Sequence, residues 1–174
     1  MPAARIMLVP CLMLFALVSS AQKQIEIMQP KKEFDIQLAS KMLNEGTSEI
    51  KGYAYYEERT PIGIKVGETI YGRVGVVVSL YPLTPYIEEY LSLKKRNKEG
   101  KRIATISSLA NCYRIESKIY SQKGEFLFVG LAAGKYYLES LVHFPSGIGG
   151  REVSAIVEIK NNGDKAECKL KYIY

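Results

Sequence analysis

Few residues in this sequence combine a reactive side chain with a useful neighbour. His143 is the only histidine, and one imidazole without a Cys, His or carboxylate cluster at ligand spacing does not make a zinc site. Glu57-Glu58 and Glu88-Glu89 are adjacent carboxylate pairs. Neighbours in a strand point to opposite faces, so neither pair can share the work of a general acid and base. Ser79, Ser140 and Ser154 lack a nucleophile-elbow context, and Gly147, Gly149 and Gly150 form a loop rather than a phosphate cradle. These patterns predict no catalytic residues, no metal and no cofactor.

Recognition chemistry is better represented. Lys94 to Arg102 holds six cations and one anion in nine residues, a composition suited to phosphate, acidic glycan or lipid headgroups, or to simple solvation. Tyr86 and the cations Lys94, Lys95, Arg96, Lys98, Lys101 and Arg102 are the candidate interaction loop. There are thirteen tyrosines and no tryptophan. Tyr53, Tyr55 and Tyr137 are expected on outward strand faces, where they could stack on sugar rings or a protein partner, although strand tyrosines commonly pack across a sheet.

The segments that must position these groups begin with a leader. Arg5, the apolar run Ile6 to Val18 and the small residues Ser19-Ser20-Ala21 have the layout of a secretory signal over residues 1–21. The run is shorter than the roughly 20 residues a membrane-spanning helix needs. Cys11 lies inside the run after Pro10, which excludes a lipoprotein signal. The mature chain is expected to start near Gln22, with no transmembrane segment, in a secreted or periplasmic location, including association with an outer membrane. The net charge of +6 is mildly basic, and an exported protein is not expected to meet nucleic acid. Loss of Cys11 leaves Cys112 and Cys168, which could form a disulfide in an oxidising compartment. Parity favours two separate thiols, with Cys168 on a core face and Cys112 on a solvated one.

Residues 22–48 read as a polar arm and a short helix, with Phe34, Leu38 and Met42 at helical spacing and Gly46 past its end. From Ile50 the period becomes two. Ile50 to Glu57, Arg73 to Tyr81, Tyr113 to Tyr120, Glu125 to Val129, Lys135 to Phe144, Val153 to Ile159 and Ala166 to Tyr172 read as strands. Arg73 to Tyr81 is apolar almost throughout, as for a strand buried on both faces. Ile87 to Leu93 fits a helical turn or a short edge segment, Lys94 to Asn111 a long exposed loop. Asn161-Asn162-Gly163-Asp164 fits a type I′ hairpin. Seven such strands predict an all-β sandwich.

Gly124-Glu-Phe-Leu-Phe-Val-Gly-Leu-Ala-Ala-Gly-Lys-Tyr-Tyr137, Ile50-Lys-Gly-Tyr-Ala54 and Val76-Val-Val-Ser-Leu-Tyr-Pro-Leu-Thr-Pro-Tyr86 together resemble the carboxypeptidase regulatory-like domain of exported bacterial proteins, a transthyretin-like β-sandwich. The resemblance covers about Ile50 to Leu170. It implies a seven-stranded prealbumin-like Greek-key sandwich over 49–174, preceded by the short N-terminal helix. Departures are Ser121-Gln122 where an Asp often stands, and His143-Phe144 where similar members carry Trp. The group includes a ureide hydrolase that depends on several His and Arg residues, which one histidine does not match.

The reading that follows is a non-catalytic module of the cell envelope, docking on a protein or envelope polymer through Pro82 to Arg102. Carbohydrate or small-ligand binding on an outward tyrosine face is the alternative, and a transthyretin-like hydrolase the third. A buried pocket converging on His143 with an arginine and a carboxylate would favour the third.

Overall fold

The computed structural model describes residues 24–44 and 46–172; the expected leader, its cleavage site and Cys11 lie outside the described residues. In chain order the elements are β1 (Glu26–Met28), α1 (Ile36–Asn44), β2 (Ser48–Arg59), β3 (Lys65–Tyr71), β4 (Val77–Pro82), α2 (Pro85–Lys94), β5 (Arg102–Ala104), α3 (Ser108–Cys112), β6 (Ile115–Lys118), β7 (Glu125–Leu131), β8 (Gly134–His143), β9 (Gly150–Ile159) and β10 (Lys165–Leu170). Among the described residues no helix is long and apolar enough to cross a membrane.

The chain is mostly β. One sheet has the order β6-β4-β8-β9; in the other β2 is flanked by β10 in parallel and by β7 and β3 in antiparallel. The alternation of β2 drives its placement. Ser48, Ile50, Gly52 and Ala54 turn inward and are buried, while Glu49, Lys51, Tyr53 and Tyr55 turn outward. Ile50 and Ala54 meet Val78 and Leu80 of β4, Phe126 and Phe128 of β7, Leu138 and Val142 of β8, and Leu170 of β10 in one core. Phe126 and Phe128 pack edge to face at 6.0 Å, an arrangement aromatic rings prefer.

The glycine-rich segment after Gly124 carries the chain from one sheet to the other. β7 pairs with β2, and β8 pairs with β4 and β9. Between them Leu131 is fully buried, and the Ala132 N–H donates to the Met42 carbonyl at 3.1 Å. The buried Tyr136 hydroxyl lies 2.7 Å from that same carbonyl and 2.8 Å from the Ala132 carbonyl. One phenol therefore ties the last turn of α1 to the crossover, and Met42 joins the core.

Several expectations change. The two main sheets hold eight strands rather than seven, because β3 runs through a segment without clean alternation. Setting β3 aside leaves seven, three in one sheet and four in the other. Asn161 to Asp164 is a turn but not a hairpin, since β9 and β10 belong to different sheets. A type I′ turn needs two positive φ angles, and Gly163 alone has one, +92°. Pro82 ends β4 opposite Tyr136, and Pro85 starts α2 with Thr84 as its cap, the hydroxyl accepting from the Ile87 N–H at 3.4 Å. The expected loop 94–111 contains β5 and α3. The polar arm contains β1, which pairs in parallel with β5.

Cys112 and Cys168 are free thiols, so the disulfide does not form. Cys168 lies against the core on β10, while Cys112 is exposed at the end of α3. Burial pushes the Cys168 thiol up to about 12.

Gly124 has φ +74°, and a Cβ there would stand 2.3 Å from the Ala54 carbonyl oxygen. Left-handed backbone costs an L-residue roughly 1–2 kcal/mol before any clash. Gly124→Ala is expected to lower stability by about 2–4 kcal/mol, read as a fall in the urea midpoint at constant slope. For the cysteines, a neutral thiol reagent should label Cys112 in the native protein and Cys168 only after unfolding, because thiolate is the reactive species. Equal labelling of both in the native state would contradict this placement.

Candidate functional site

Two arrangements bring polar side chains together: a buried cluster under α2, and an open groove on the outward face of β2.

Under α2 the outward face of β4 and β8 is covered. Tyr81 and Tyr137 pack with Tyr86, Ile87 and Ala110 in a second apolar cluster. Lys94, at the end of α2, reaches into its margin. Its Nζ lies 2.6 Å from Glu139 Oε2 and 2.5 Å from Glu152 Oε1. It donates to the Tyr137 hydroxyl at 3.3 Å, which in turn donates to Glu139 Oε2 at 2.8 Å. The ammonium also stands 5.7 Å from the ring centres of Tyr90 and Tyr137. Burial works against the charge on Lys94, but Glu139, Tyr137 and Glu152 together outweigh it and hold the ammonium well above its ordinary range. Burial, then Glu139, push the Tyr137 phenol up as well.

Raised values of this kind favour the folded state below the groups' unfolded pKa near 10. The contribution is present across neutral pH and would be lost only as pH rises through the folded values. The three contacts of the Lys94 ammonium are all made within the cluster, so it ties α2 to the sheet.

The outward face of β2 is different. Tyr53, Tyr55 and Glu57 stand there in succession. β10 contributes Glu167 and Lys169 on one side, β3 contributes Thr69 and Tyr71 on the other, and the seven line a groove of about 470 Å³. Lys169 is in register with Tyr53, and Tyr55 with Tyr71. The Tyr55 and Tyr71 rings lie 6.2 Å apart, tilted by 54°. Tyr71 is 44 % exposed, which is high for a ring in a sheet. Glu57 is held by Arg59 at 2.6 Å and Lys65 at 3.7 Å; the Arg59 hydrogen bond is the main cause of its lowered carboxylate pKa. Glu167 and Lys169 make no ion pair among the described residues.

The residues singled out from the sequence fall as follows. Tyr53 and Tyr55 are outward and partly exposed, as expected. Tyr137 is on the outward face of its strand but 4 % exposed, because α2 lies over it. Tyr86 is 5 % exposed, and its hydroxyl accepts from the Ser107 N–H at 2.7 Å. Lys94 is paired under α2. Tyr86 and Lys94 therefore do not belong to an exposed interaction loop. Lys95, Arg96, Lys98 and Lys101 are exposed and Arg102 is half-buried.

His143 lines a second groove of about 680 Å³ with Arg73, Glu58, Glu68 and Gln122. That groove is open along the edge of β3, and the Arg73 guanidinium donates to the Phe144 carbonyl at 2.8 Å. It is not the buried, convergent pocket a hydrolase would need. Among the described residues no group of three or more His, Cys, Asp or Glu is placed to hold a metal.

Tyr71 and Thr69 are the site residues the sequence reading missed. The signal was present: Val66, Thr69, Ile70 and Tyr71 are strand formers bounded by Gly63 and Gly72. Gly67, with φ +72°, falls where the β2–β3 register shifts and spoils the alternation.

No protein-family model and no curated relative matches the chain. Among solved structures, a crystal structure from Pseudomonas aeruginosa described as "a putative carbohydrate binding protein" is similar in fold. It has a TM-score of 0.58 and 20 % identity, over 80 % of this chain and 98 % of that one.

The cluster under α2 predicts its own stability effect. Lys94→Ala leaves Glu139 half-buried without its partner and is expected to cost about 2–4 kcal/mol, measured by urea unfolding. Pairing Lys94→Met with Glu139→Leu should recover a large part of that loss, since the remaining cost was an unpaired charge. If the double change is merely the sum of its parts, the ion pair is not what holds α2.

Proposed function

We propose that this chain is an exported, non-catalytic carbohydrate-binding module that holds a sugar in the groove of Tyr53, Tyr55 and Tyr71. The observation that carries the reading is the Tyr55–Tyr71 pair, two neighbouring rings left partly exposed on an outward sheet face. A pyranose has an apolar face of C–H bonds that packs on an aromatic ring, and hydroxyls at its rim that need partners. Glu167 and Lys169 lie at that rim with donor and acceptor capacity to spare, and the Thr69 hydroxyl adds a third group. The shallow, open shape suits one face of a chain rather than a fully enclosed monosaccharide. The description of the structurally similar Pseudomonas protein supports the same class of ligand.

The reading includes export, supported by the charged start, apolar run and small residues of 1–21. It also includes the carboxypeptidase regulatory-like resemblance, supported by the seven strands that remain in two sheets once β3 is set aside. In that view β3 is this chain's addition to the sandwich, and it brings the second ring of the binding face.

A glycan array followed by calorimetry tests the site. At least one neutral or amino-sugar oligosaccharide is expected to bind. Tyr55→Ala and Tyr71→Ala should each weaken it about tenfold, the equivalent of one stacked ring, while Tyr137→Phe leaves binding unchanged. Binding that survives both alanine changes would remove the groove as the site. An array without a hit would remove the ligand class.

A further inference from the structure

We infer that the β1–β5 ribbon and the basic turn beside it form a docking face for an anionic lipid surface, separate from the tyrosine groove. The ribbon is a two-stranded parallel sheet in which Ile27 pairs with Ile103 and Met28 with Ala104. Met28 and Ala104 are 7 % and 6 % exposed. Ile27 and Ile103 are 65 % and 47 % exposed, and Ile25, on the same parity as Ile27, is 49 % exposed. Three isoleucines thus face water at a ribbon whose opposite side is buried at Met28 and Ala104 and carries the exposed Glu26 and half-buried Arg102.

The turn that leads into β5 supplies the charge. Lys95, Arg96, Lys98 and Lys101 are exposed, and none of them forms an ion pair among the described residues. With Arg102 they make five cations against two acids, Glu26 and Glu99, on the ribbon and turn. The turn is built, not loose. Lys98 N–H donates to the Arg102 carbonyl at 3.0 Å and Lys101 N–H to the Lys98 carbonyl at 2.9 Å. Ala104 N–H donates to Asn97 Oδ1 at 2.7 Å, and Arg102 Nε to the Arg96 carbonyl at 2.6 Å. Glu26 N–H donates to the Lys101 carbonyl at 2.8 Å, locking turn and ribbon together.

Exposed β-branched side chains next to unpaired cations are what a bilayer interface takes up. The isoleucines enter the boundary between headgroups and acyl chains, and the ammonium and guanidinium groups stay with the phosphates. A soluble polyanion would use the cations and gain nothing from the isoleucines.

The test is vesicle co-sedimentation of the chain purified as its host processes it. The vesicles are phosphatidylcholine alone or with about 30 % phosphatidylglycerol. Preference for the anionic vesicles by about tenfold or more is expected, shrinking in high salt as screening shortens the field. K95E/R96E/K98E/K101E should abolish the preference, and K98Q/K101Q should reduce it, a milder change that keeps the turn. I27S/I103S should weaken vesicle binding about tenfold while leaving retention on heparin unchanged. Equal binding to both vesicles overturns the inference. So does vesicle binding by the isoleucine variant at wild-type strength, which would mark the patch as a site for soluble polyanions. Unchanged thermal midpoints confirm that each variant is folded.

Discussion

Ala54 is where the sheet of the candidate site is decided. Its N–H donates to the Gly124 carbonyl at 2.9 Å, and its carbonyl accepts from the Gly72 N–H at 2.8 Å. The two groups of one strand residue point to the same side, so β7 and β3 occupy the same edge of β2, one ending where the other begins. Gly124 can meet Ala54 so closely because it has no Cβ. Had β7 continued along β2, Tyr55 would face a β7 side chain and β3 would have no strand to pair with. The handover at Ala54 sets Tyr71 beside Tyr55 and gives the groove its second ring.

The same economy of position explains what the sequence could reveal. Strands whose alternation is undisturbed were legible: β2, β8 and β9 appear within a few residues of their predicted bounds, with Phe126, Phe128, Leu138 and Val142 in the core. Contacts set by partners far along the chain were not. Lys94 sits in a run of cations and reads as solvated, because nothing near it reveals that Glu139 and Glu152 wait on the facing sheet. Tyr137 has the parity of an outward residue and is outward, yet a helix that scans as an uncertain turn covers it. The hairpin signal at Asn162-Gly163 is a true turn signal, but local sequence does not say whether the next strand returns to the same sheet. Two of the three groove tyrosines, Tyr53 and Tyr55, are visible in the sequence; Tyr71 is hidden by one bulge.

Two polar solutions on this molecule show how burial sorts function from structure. At Lys94, charges are drawn under a helix, and the ammonium is matched by Glu139, Glu152 and the Tyr137 hydroxyl. That arrangement holds one geometry and offers nothing outward. On β2, Glu167 and Lys169 lie in the open with capacity left over, beside rings that the fold did not cover. Unspent hydrogen-bonding groups next to exposed aromatic surface are the economical place for a sandwich to recognise something, since the rigid sheet holds them in place without added loops.

The parallel pairing of β10 with β2 has a consequence for how the molecule comes into being. Lys165 to Leu170 lies in register with Glu49 to Ala54, so a strand near the chain's end seals one near its start, and Leu170 completes the core. Leading segments that emerge first must stay unpaired on that side until nearly all of the chain has followed. Such sequence-distant closure slows folding. Until β10 arrives, the edge of β2 that it covers is an open row of backbone donors and acceptors, and the folding protein carries that unpaired edge longest.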